Sequence, residues 1–302
     1  MSVRPWSWTV PPSAGAAYSG ESQPKGQCTL TLRLGLTLVS FCALVAVVAP
    51  LLAPYSPDAY VGAPVELPSL RHPLGTNDVG QDLLSALFYG ARVSMVVAVL
   101  AGAAGLVIAL LVGLSSGAMR GPYDAIVMRF VDVLMAIPHL PLMIVLATFL
   151  GPGLGNVILV IVALGWVRPA RVIRSQVLTL RSRGYIHSAR LFGGSWPYLM
   201  RRHLLPALTP VAASAFVALG SRAVMMESAL AFLGIGDPTI QSWGMMMRHA
   251  LDFRGIYLTP CWIWWLIPPG LCLSALIGGL AMVGTAVESQ SNTRLSRHEG
   301  AR

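Results

Sequence analysis

The sequence predicts an all-α membrane protein with about six transmembrane helices, and three observations point to this fold class. Of the 302 residues, 55% are hydrophobic and only 11% are charged, whereas soluble domains carry about 25% charged residues. The hydrophobic residues form long blocks, several of which approach the roughly 20 residues that a helix needs to cross a bilayer. Basic residues cluster at the ends of these blocks, so the net charge of +9 indicates membrane orientation and argues against a nucleic-acid partner.

Six apolar segments follow one another along the chain. The fourth is the weakest, because its uninterrupted apolar run, 157–167, contains only 11 residues, which by itself favours an interfacial or buried helix. If it spans, 14 Lys and Arg residues lie on one side of the membrane and three on the other. This asymmetry supports six spans with both termini in the cytosol. The other five segments lie at about 33–53, 93–114, 125–150, 207–233 and 262–287.

The spans define a transmembrane domain at residues 32–287, between a disordered cytosolic tail at 1–31 and a cytosolic C-terminal tail at 288–302. The four cysteines have no spacing typical of a zinc site or a disulfide framework. No Gly-x-x-x-x-Gly-Lys-Ser/Thr phosphate loop is present in the sequence, so nucleotide binding is not expected on this chain.

Two loops on the predicted outer side are long, at about 54–91 and 234–261. Each contains a stretch that could lie flat on the outer membrane surface, and these stretches are 81–89 and 243–252. Trp243 is a candidate interface anchor, because tryptophan is enriched at the level of the lipid headgroups.

The loop at about 181–206 (RSRGYIHSARLFGGSWPYLMRRHLLP) is basic and predicts a helix-turn-helix on the inner side. Residues 185–192 suit a short helix, which Gly193 and Gly194 can end because glycine readily adopts positive φ. Ser195 can then cap a second helix. On these grounds alone two interpretations stay open. The loop either docks a separate cytosolic protein or is a solvated loop that only sets orientation.

The same loop resembles the coupling loop of the membrane subunits of ABC importers. That family pattern is Glu-Ala-Ala, three residues, Gly, nine residues, an apolar residue, any residue, then Leu-Pro. Here it is matched by Ala189, Gly193 and Leu205-Pro206. A histidine at position 203 resembles the pattern of the dipeptide, oligopeptide and nickel branch of the family. Further blocks resemble that branch in the same order: 72–84 (HPLGTNDVGQDLL), 89–94 (YGARVS), Asp124 with 128–132, 151–157 (GPGLGNV), 227–236 (ESALAFLGIG), 242–244 (SWG) and 264–270 (WWLIPPG).

The resemblance implies a transport subunit that is not an enzyme. It implies that the chain forms half of a pathway for peptides across the inner membrane, next to a second homologous membrane subunit and the membrane lipid. Its other implied partners are two ATP-binding subunits and an extracytoplasmic solute-binding protein. No catalytic residue, metal site or cofactor is expected on this chain, since ATP and Mg²⁺ belong to the partner subunits. The residues implied in coupling to an ATP-binding subunit are Tyr185, His187, Ser188, Ala189, Arg190, Gly193, Gly194, His203, Leu205 and Pro206.

The loop also departs from the family pattern. His187 and Ser188 stand where the family has Glu and its first Ala. A carboxylate that normally belongs to the docking helix is therefore absent, although Gly193 and Pro206, which shape the loop, are present.

Ionisable residues within the apolar segments are costly and by default face protein or a water-filled path. Asp132, Arg222 and Glu227 are the candidates for a translocation pathway or gate. Glu227 is the preferred gate residue. Asp132 is expected to pair with Arg129, three residues earlier on the same helical face, and His139 is interpreted as a residue satisfied by helix packing.

Four alternatives remain at this stage. The same architecture could import nickel or a metal–chelator complex, although the histidines are scattered. An ion-driven secondary transporter would need inverted repeats, and none is visible in the sequence. An intramembrane hydrolase would need a Gly-x-Ser-x-Gly or His-Glu-x-x-His motif, and neither is present in the sequence. A structural scaffold is the fourth alternative.

Overall fold

A computed structural model describes the backbone of residues 25–119 and 121–299, and the side chains of 29–119, 121–186 and 188–289. Within these residues the protein is all-α, with two isolated β-bridges and no strand. A π-helical turn, Met200–Leu204, joins α8 to α9. The helices are α1 (Lys25–Leu52), α2 (Leu83–Met119), α3 (Pro122–Ala136), α4 (His139–Leu150), α5 (Leu154–Gly165), α6 (Val167–Arg181), α7 (Gly184–Leu191), α8 (Trp196–Leu199), α9 (Leu205–Phe232), α10 (Trp243–Asp252), α11 (Trp262–Trp265) and α12 (Ile267–Glu299).

Five helical stretches of the described chain are long and apolar enough to cross a membrane, and a sixth span results if the bent pair α3 and α4 is counted as one. The predicted fold class is therefore confirmed. Which side faces the cytosol stays a prediction. The five stretches are Thr29–Leu52, Leu83–Met119, Leu154–Arg181, Trp196–Phe232 and Trp262–Ser289.

The centre of the bundle is formed by α2, which packs against α1, α6 and α9, while α12 packs against α1 and α9. Glycines allow these helices to approach closely. Gly113 of α2 lies against the backbone of Ala170 in α6, and Gly35 of α1 lies against Gly279 of α12. Small residues are the usual means of helix association in membranes, where the hydrophobic effect does not drive helices together.

The third predicted segment, 125–150, is not one straight helix. Its two halves, α3 and α4, meet at an angle of 92°. The break falls at Ile137 and Pro138, where Ile137 adopts an extended conformation. Proline disfavours the helical conformation of the residue before it and removes a backbone donor, so the bend has a local cause.

The fourth predicted segment is longer than its apolar run. The helices α5 and α6 follow each other with only Trp166 between them, itself in helical conformation, and together form the span Leu154–Arg181. Arg168, Arg171 and Arg174 are among the 14 basic residues counted on the inner side of the membrane. They lie on this spanning helix.

The two stretches expected to be able to lie flat on the outer surface have different structures. Residues 83–89 are the first turns of α2, a helix about 55 Å long at 1.5 Å per residue, so this expectation was wrong for 81–89. Residues 243–252 do form a separate helix, α10. Trp243 is buried, and its Nε1 donates to the carbonyl of Leu87 at 2.9 Å, so it anchors α10 to α2 within the protein.

The chain termini were predicted to be tails. The helix α1 begins at Lys25, within the region assigned to the N-terminal tail. Residues 1–24, which make up the rest of that predicted tail, lie outside the described residues, and so do 300–302.

The close contact of α2 with α6 predicts that Gly113→Ala destabilises the fold. A Cβ atom at Gly113 would lie 2.7 Å from the carbonyl oxygen of Ala170 and 2.8 Å from Ile173 Cγ2. Overpacking of this kind costs about 1–3 kcal/mol, so we expect a lower apparent melting temperature of the detergent-solubilised protein. Gly278→Ala is the matched control, because a Cβ there meets nothing within 4 Å. Equal melting temperatures for the two variants would contradict the assignment.

Candidate coupling and pathway sites

The first candidate site is the helix-turn-helix of α7 and α8, which the sequence predicted. The helix α7 ends at Leu191, and Gly193 follows with φ +85°. The N–H of Gly193 donates to the carbonyl of Arg190, and that of Gly194 donates to the carbonyl of Ala189. These bonds satisfy carbonyls that the end of a helix leaves free. Ser195 occupies the N-cap position of α8 without a side-chain capping bond.

This element is fixed firmly to the rest of the protein. Ile186 is buried in a cluster with residues of α2, α6 and α9. The ring of Trp196 lies between two guanidinium groups, with its centroid 4.4 Å from Cζ of Arg181 and 4.9 Å from Cζ of Arg190. Arg181 also donates to the carbonyls of Gly117 and Ala118 at the end of α2. The turn is therefore held in one position by packing and by cation–π contacts.

The opposite face of the element is open and rich in large apolar side chains. Phe192 is 92% exposed, and Leu191 beside it is 75% exposed. Tyr185 and Tyr198 are also exposed. Exposed apolar residues of this kind mark a candidate surface for a partner, and basic side chains near them in sequence are also exposed. These basic residues are Arg190, Arg201 and Arg202.

The predicted coupling residues at the end of the loop lie close to the same face. The ring of His203 is 6.1 Å from that of Tyr185 and 5.8 Å from that of Tyr198. Pro206 lies in the first turn of α9, directly after the π-helical turn. Because proline has no N–H, the altered hydrogen bonding of a π turn accommodates it within one continuous helix. Ser188 and Leu205 are exposed, and the side chain of His187 lies outside the described ones.

The helices α3 and α6 are joined by two ion pairs that the sequence analysis did not find. Arg174 donates to both oxygens of Asp124, at 2.6 and 2.5 Å, and Ser116 of α2 donates to the same carboxylate. Asp132 pairs with Arg171 of α6, so its expected pairing with Arg129 was wrong. Both partners are about 40 or more residues away in sequence, so no local pattern could reveal them.

Glu227 lies inside the chain, on the side of α9 that α10 covers. It is 4% exposed. The hydroxyl of Ser228 donates to its Oε2 at 3.2 Å, and the hydroxyl of Ser242 at the start of α10 lies close enough to influence the carboxylate. In this conformation the carboxylate lies between α9 and the segment that precedes α10. Its assignment as a gate stays a prediction.

Arg222 lies one and a half turns before Glu227 on α9 and is exposed. It lines a cleft of about 490 Å³ between α6, α9 and α12, which it shares with Arg168. The structure thus separates the three predicted pathway residues. Asp132 belongs to the contact of α3 with α6, Glu227 is buried under α10, and only Arg222 faces an open cavity.

The outer loop between α1 and α2 has a buried polar centre, within the block 72–84. Nδ1 of His72 lies 3.0 Å from Oδ1 of Asp82. The other carboxylate oxygen accepts bonds from the hydroxyl and the N–H of Ser85. Because buried polar groups are stable only when paired, this network gives the loop a fixed shape. The aspartate lies between histidine and serine, so the serine is not activated as a nucleophile.

Comparison with known proteins identifies a matching family. A family model described as "binding-protein-dependent transport system inner membrane component" matches residues 105–288, which is more than half of the chain. The match extends from the middle of α2 into α12 and contains all the predicted coupling and pathway residues.

Curated relatives extend the similarity over most of the chain. The dipeptide transport system permease protein DppC of Bacillus subtilis is 31% identical over 265 residues, covering 87% of this chain and 82% of that protein. The di/tripeptide transport system permease protein DppC of Pseudomonas aeruginosa is 31% identical, covering 87% and 86%. A probable peptide ABC transporter permease protein of Sinorhizobium fredii is 34% identical, covering 87% and 89%.

The buried pair predicts that Asp124→Asn destabilises the protein. Asp124 is 9% exposed, and removing one partner of a buried pair costs about 3–5 kcal/mol because the other charge is left uncompensated. We expect a clear fall in the melting temperature of the solubilised protein and partial recovery in the double variant Asp124→Asn with Arg174→Gln. Asp132→Asn is the matched control, since that pair is half exposed. A larger loss for the control would contradict the assignment.

Proposed function

This chain belongs to the family of binding-protein-dependent transport system inner membrane components, and we propose that it is a membrane subunit of a peptide importer driven by ATP hydrolysis. The observation that carries the proposal is its similarity to peptide permeases over 87% of its length. Like its relatives, the chain is a multi-pass permease of the inner membrane and not an enzyme.

The importer contains further proteins. A binding-protein-dependent system requires a solute-binding protein outside the membrane and ATP-binding subunits inside it. We infer that this chain pairs with a second homologous membrane subunit and that two ATP-binding subunits carry the ATP and Mg²⁺. The orientation that follows places both termini, α7 and α8 in the cytosol, and the loops before α2 and around α10 outside.

The exposed face of α7 and α8 is the proposed contact with an ATP-binding subunit. It offers Phe192, Tyr185 and Tyr198 as anchors, in keeping with the enrichment of aromatic residues at interface hot spots. The opposite face is packed against α2, α6 and α9. A force applied at Phe192 is therefore transmitted to the bundle and not absorbed within the loop.

The pathway is proposed to run along this chain where its ionisable residues meet water. Arg222 supports this directly, because its cleft is open. Glu227 takes part if α10 moves away from α9 during transport. Asp132 and Arg171 are half exposed and would line the path beside the bend at Pro138.

Peptides are the proposed cargo, and nickel or a metal–chelator complex is the alternative. The relatives named for peptides support the first. Among the described residues no group of three His, Cys, Asp or Glu side chains could hold a metal ion. The experiment is uptake of a labelled dipeptide and of labelled nickel by a deletion strain and by the strain carrying the gene. We expect the gene to restore dipeptide uptake to the deletion strain and to leave nickel uptake unchanged. Restored nickel uptake with unchanged dipeptide uptake would refute the proposal.

The positive φ at Gly193 predicts that Gly193→Pro abolishes uptake while leaving membrane insertion intact. Proline fixes φ near −65° and lacks the N–H that bonds to Arg190, so the turn between α7 and α8 cannot form. Gly193→Asn is the matched control, because asparagine tolerates the left-handed conformation and a Cβ here meets nothing within 4 Å. Full ATP-driven uptake by the proline variant would exclude the coupling assignment.

The gate assignment of Glu227 predicts that Glu227→Gln lowers uptake without changing assembly. Glutamine keeps the size of the side chain and can still bond to Ser228, so a purely structural role would be largely preserved. The measurement is the initial rate of uptake, divided by the amount of partner subunits that copurify with the variant. Normal uptake by an assembled variant would show that the carboxylate has no gating role.

A further inference from the structure

The cleft between α6, α9 and α12 is mostly apolar, but two arginines open into it. Arg168 of α6 and Arg222 of α9 both line the cleft and are both exposed. Glu288 of α12 also lines the cleft. Its carboxylate oxygens do not lie within 4 Å of a guanidinium nitrogen of either arginine. Within the described part of the chain, neither arginine has a carboxylate partner.

Arg168 differs in this from the two arginines that follow it on α6. Arg171 and Arg174, in the two turns after Arg168, are each bound to an aspartate of α3. Arg168 and Arg222 instead lie within electrostatic reach of each other and of His139. Nε2 of His139 is enclosed and has no hydrogen-bond partner in the described structure. The arginines of α6 and α9 thus share one cleft, and neither is paired with a carboxylate of the described residues.

The depth of this region limits what can occupy it. Arg168 lies about halfway along the span Leu154–Arg181, and Arg222 is nearly three turns from the end of α9 at Phe232. Both positions lie within spans and away from their ends, whereas a phosphate of a lipid headgroup lies at the membrane surface. A metal cation would be repelled by two arginines. The remaining occupant is an anionic group that enters the membrane within the protein.

We propose that Arg168 and Arg222 bind the C-terminal carboxylate of a peptide during its passage. Guanidinium groups match the planar geometry of a carboxylate and bind it with two parallel hydrogen bonds. Every linear peptide carries one such group, whatever its sequence, so the site selects a backbone feature and not a side chain. This inference rests on the proposed peptide import and specifies which part of the cargo this chain recognises.

The test uses the complete importer, with its binding protein, in proteoliposomes. Uptake of labelled trialanine is compared with uptake of its C-terminal amide, each at a concentration that saturates the binding protein. For the wild type we expect the acid to be imported about tenfold faster, the factor that a hydrogen bond to a charged group typically provides. Arg222→Gln is expected to reduce the acid to the rate of the amide and to leave the amide unchanged.

Control variants separate charge from structure. Arg222→Lys keeps the positive charge and is expected to restore part of the preference for the acid. Arg129→Gln removes an exposed arginine of α3 that does not line the cleft, and it is expected to behave as the wild type. ATP hydrolysis stimulated by the binding protein is measured in every variant to establish that each importer is assembled, and it is expected to be unchanged in Arg129→Gln.

Three results for Arg222→Gln would overturn the inference. The variant could slow the uptake of both peptides equally, or it could slow the uptake of neither. It could also fail to copurify with the partner membrane subunit, and this failure would mean that the arginine pairs with a carboxylate of that subunit. A wild-type importer that transports neither peptide would refute the proposed function itself. If the importer transports peptides and Arg222→Gln imports the acid and the amide at the same relative rates as the wild type, only the carboxylate site is refuted.

Discussion

The pairing of α3 carboxylates with α6 arginines is the interaction on which the arrangement of the other helices depends. A helix with Arg168, Arg171 and Arg174 in consecutive turns is a poor candidate for a bilayer. Asp124 and Asp132 neutralise two of these charges, so α6 can continue α5 as one span. Its end then holds α7 in place, because Ile186 packs into the cluster formed by α2, α6 and α9.

The sequence was sufficient for features that are encoded locally. The class of fold, the short helix α7 and the turn at Gly193 follow from hydropathy and from residues with special backbone preferences. The sharp bend at Pro138 has an equally local cause, which is the effect of proline on the residue before it. Its angle depends on packing and could not be predicted.

Other features depend on residues that are distant in sequence. Arg174 binds a carboxylate 50 residues away, and a hydropathy profile registers the arginine as a cost without its partner. Tryptophan is a residue type typical of membrane anchors, but the N–H of Trp243 donates to the carbonyl of Leu87 within the protein. The open cleft at Arg222 results from three helices that meet far apart along the chain. Arg222 could be predicted because it is a charge within an apolar segment. Arg168 could not, because it follows the apolar run 157–167 and was counted with the basic residues of the inner side.

The π-helical turn between α8 and α9 has a mechanical consequence. Because helical structure continues from Trp196 to Phe232, Tyr198 of the exposed face and the α9 wall of the cleft belong to one rod about 55 Å long. Such a rod behaves as a lever. A small tilt at its base is converted into a larger sideways displacement at its far end, where α10 covers Glu227. For the proposed importer, a push at the base of the rod and an opening at its far end would then be one rigid-body motion.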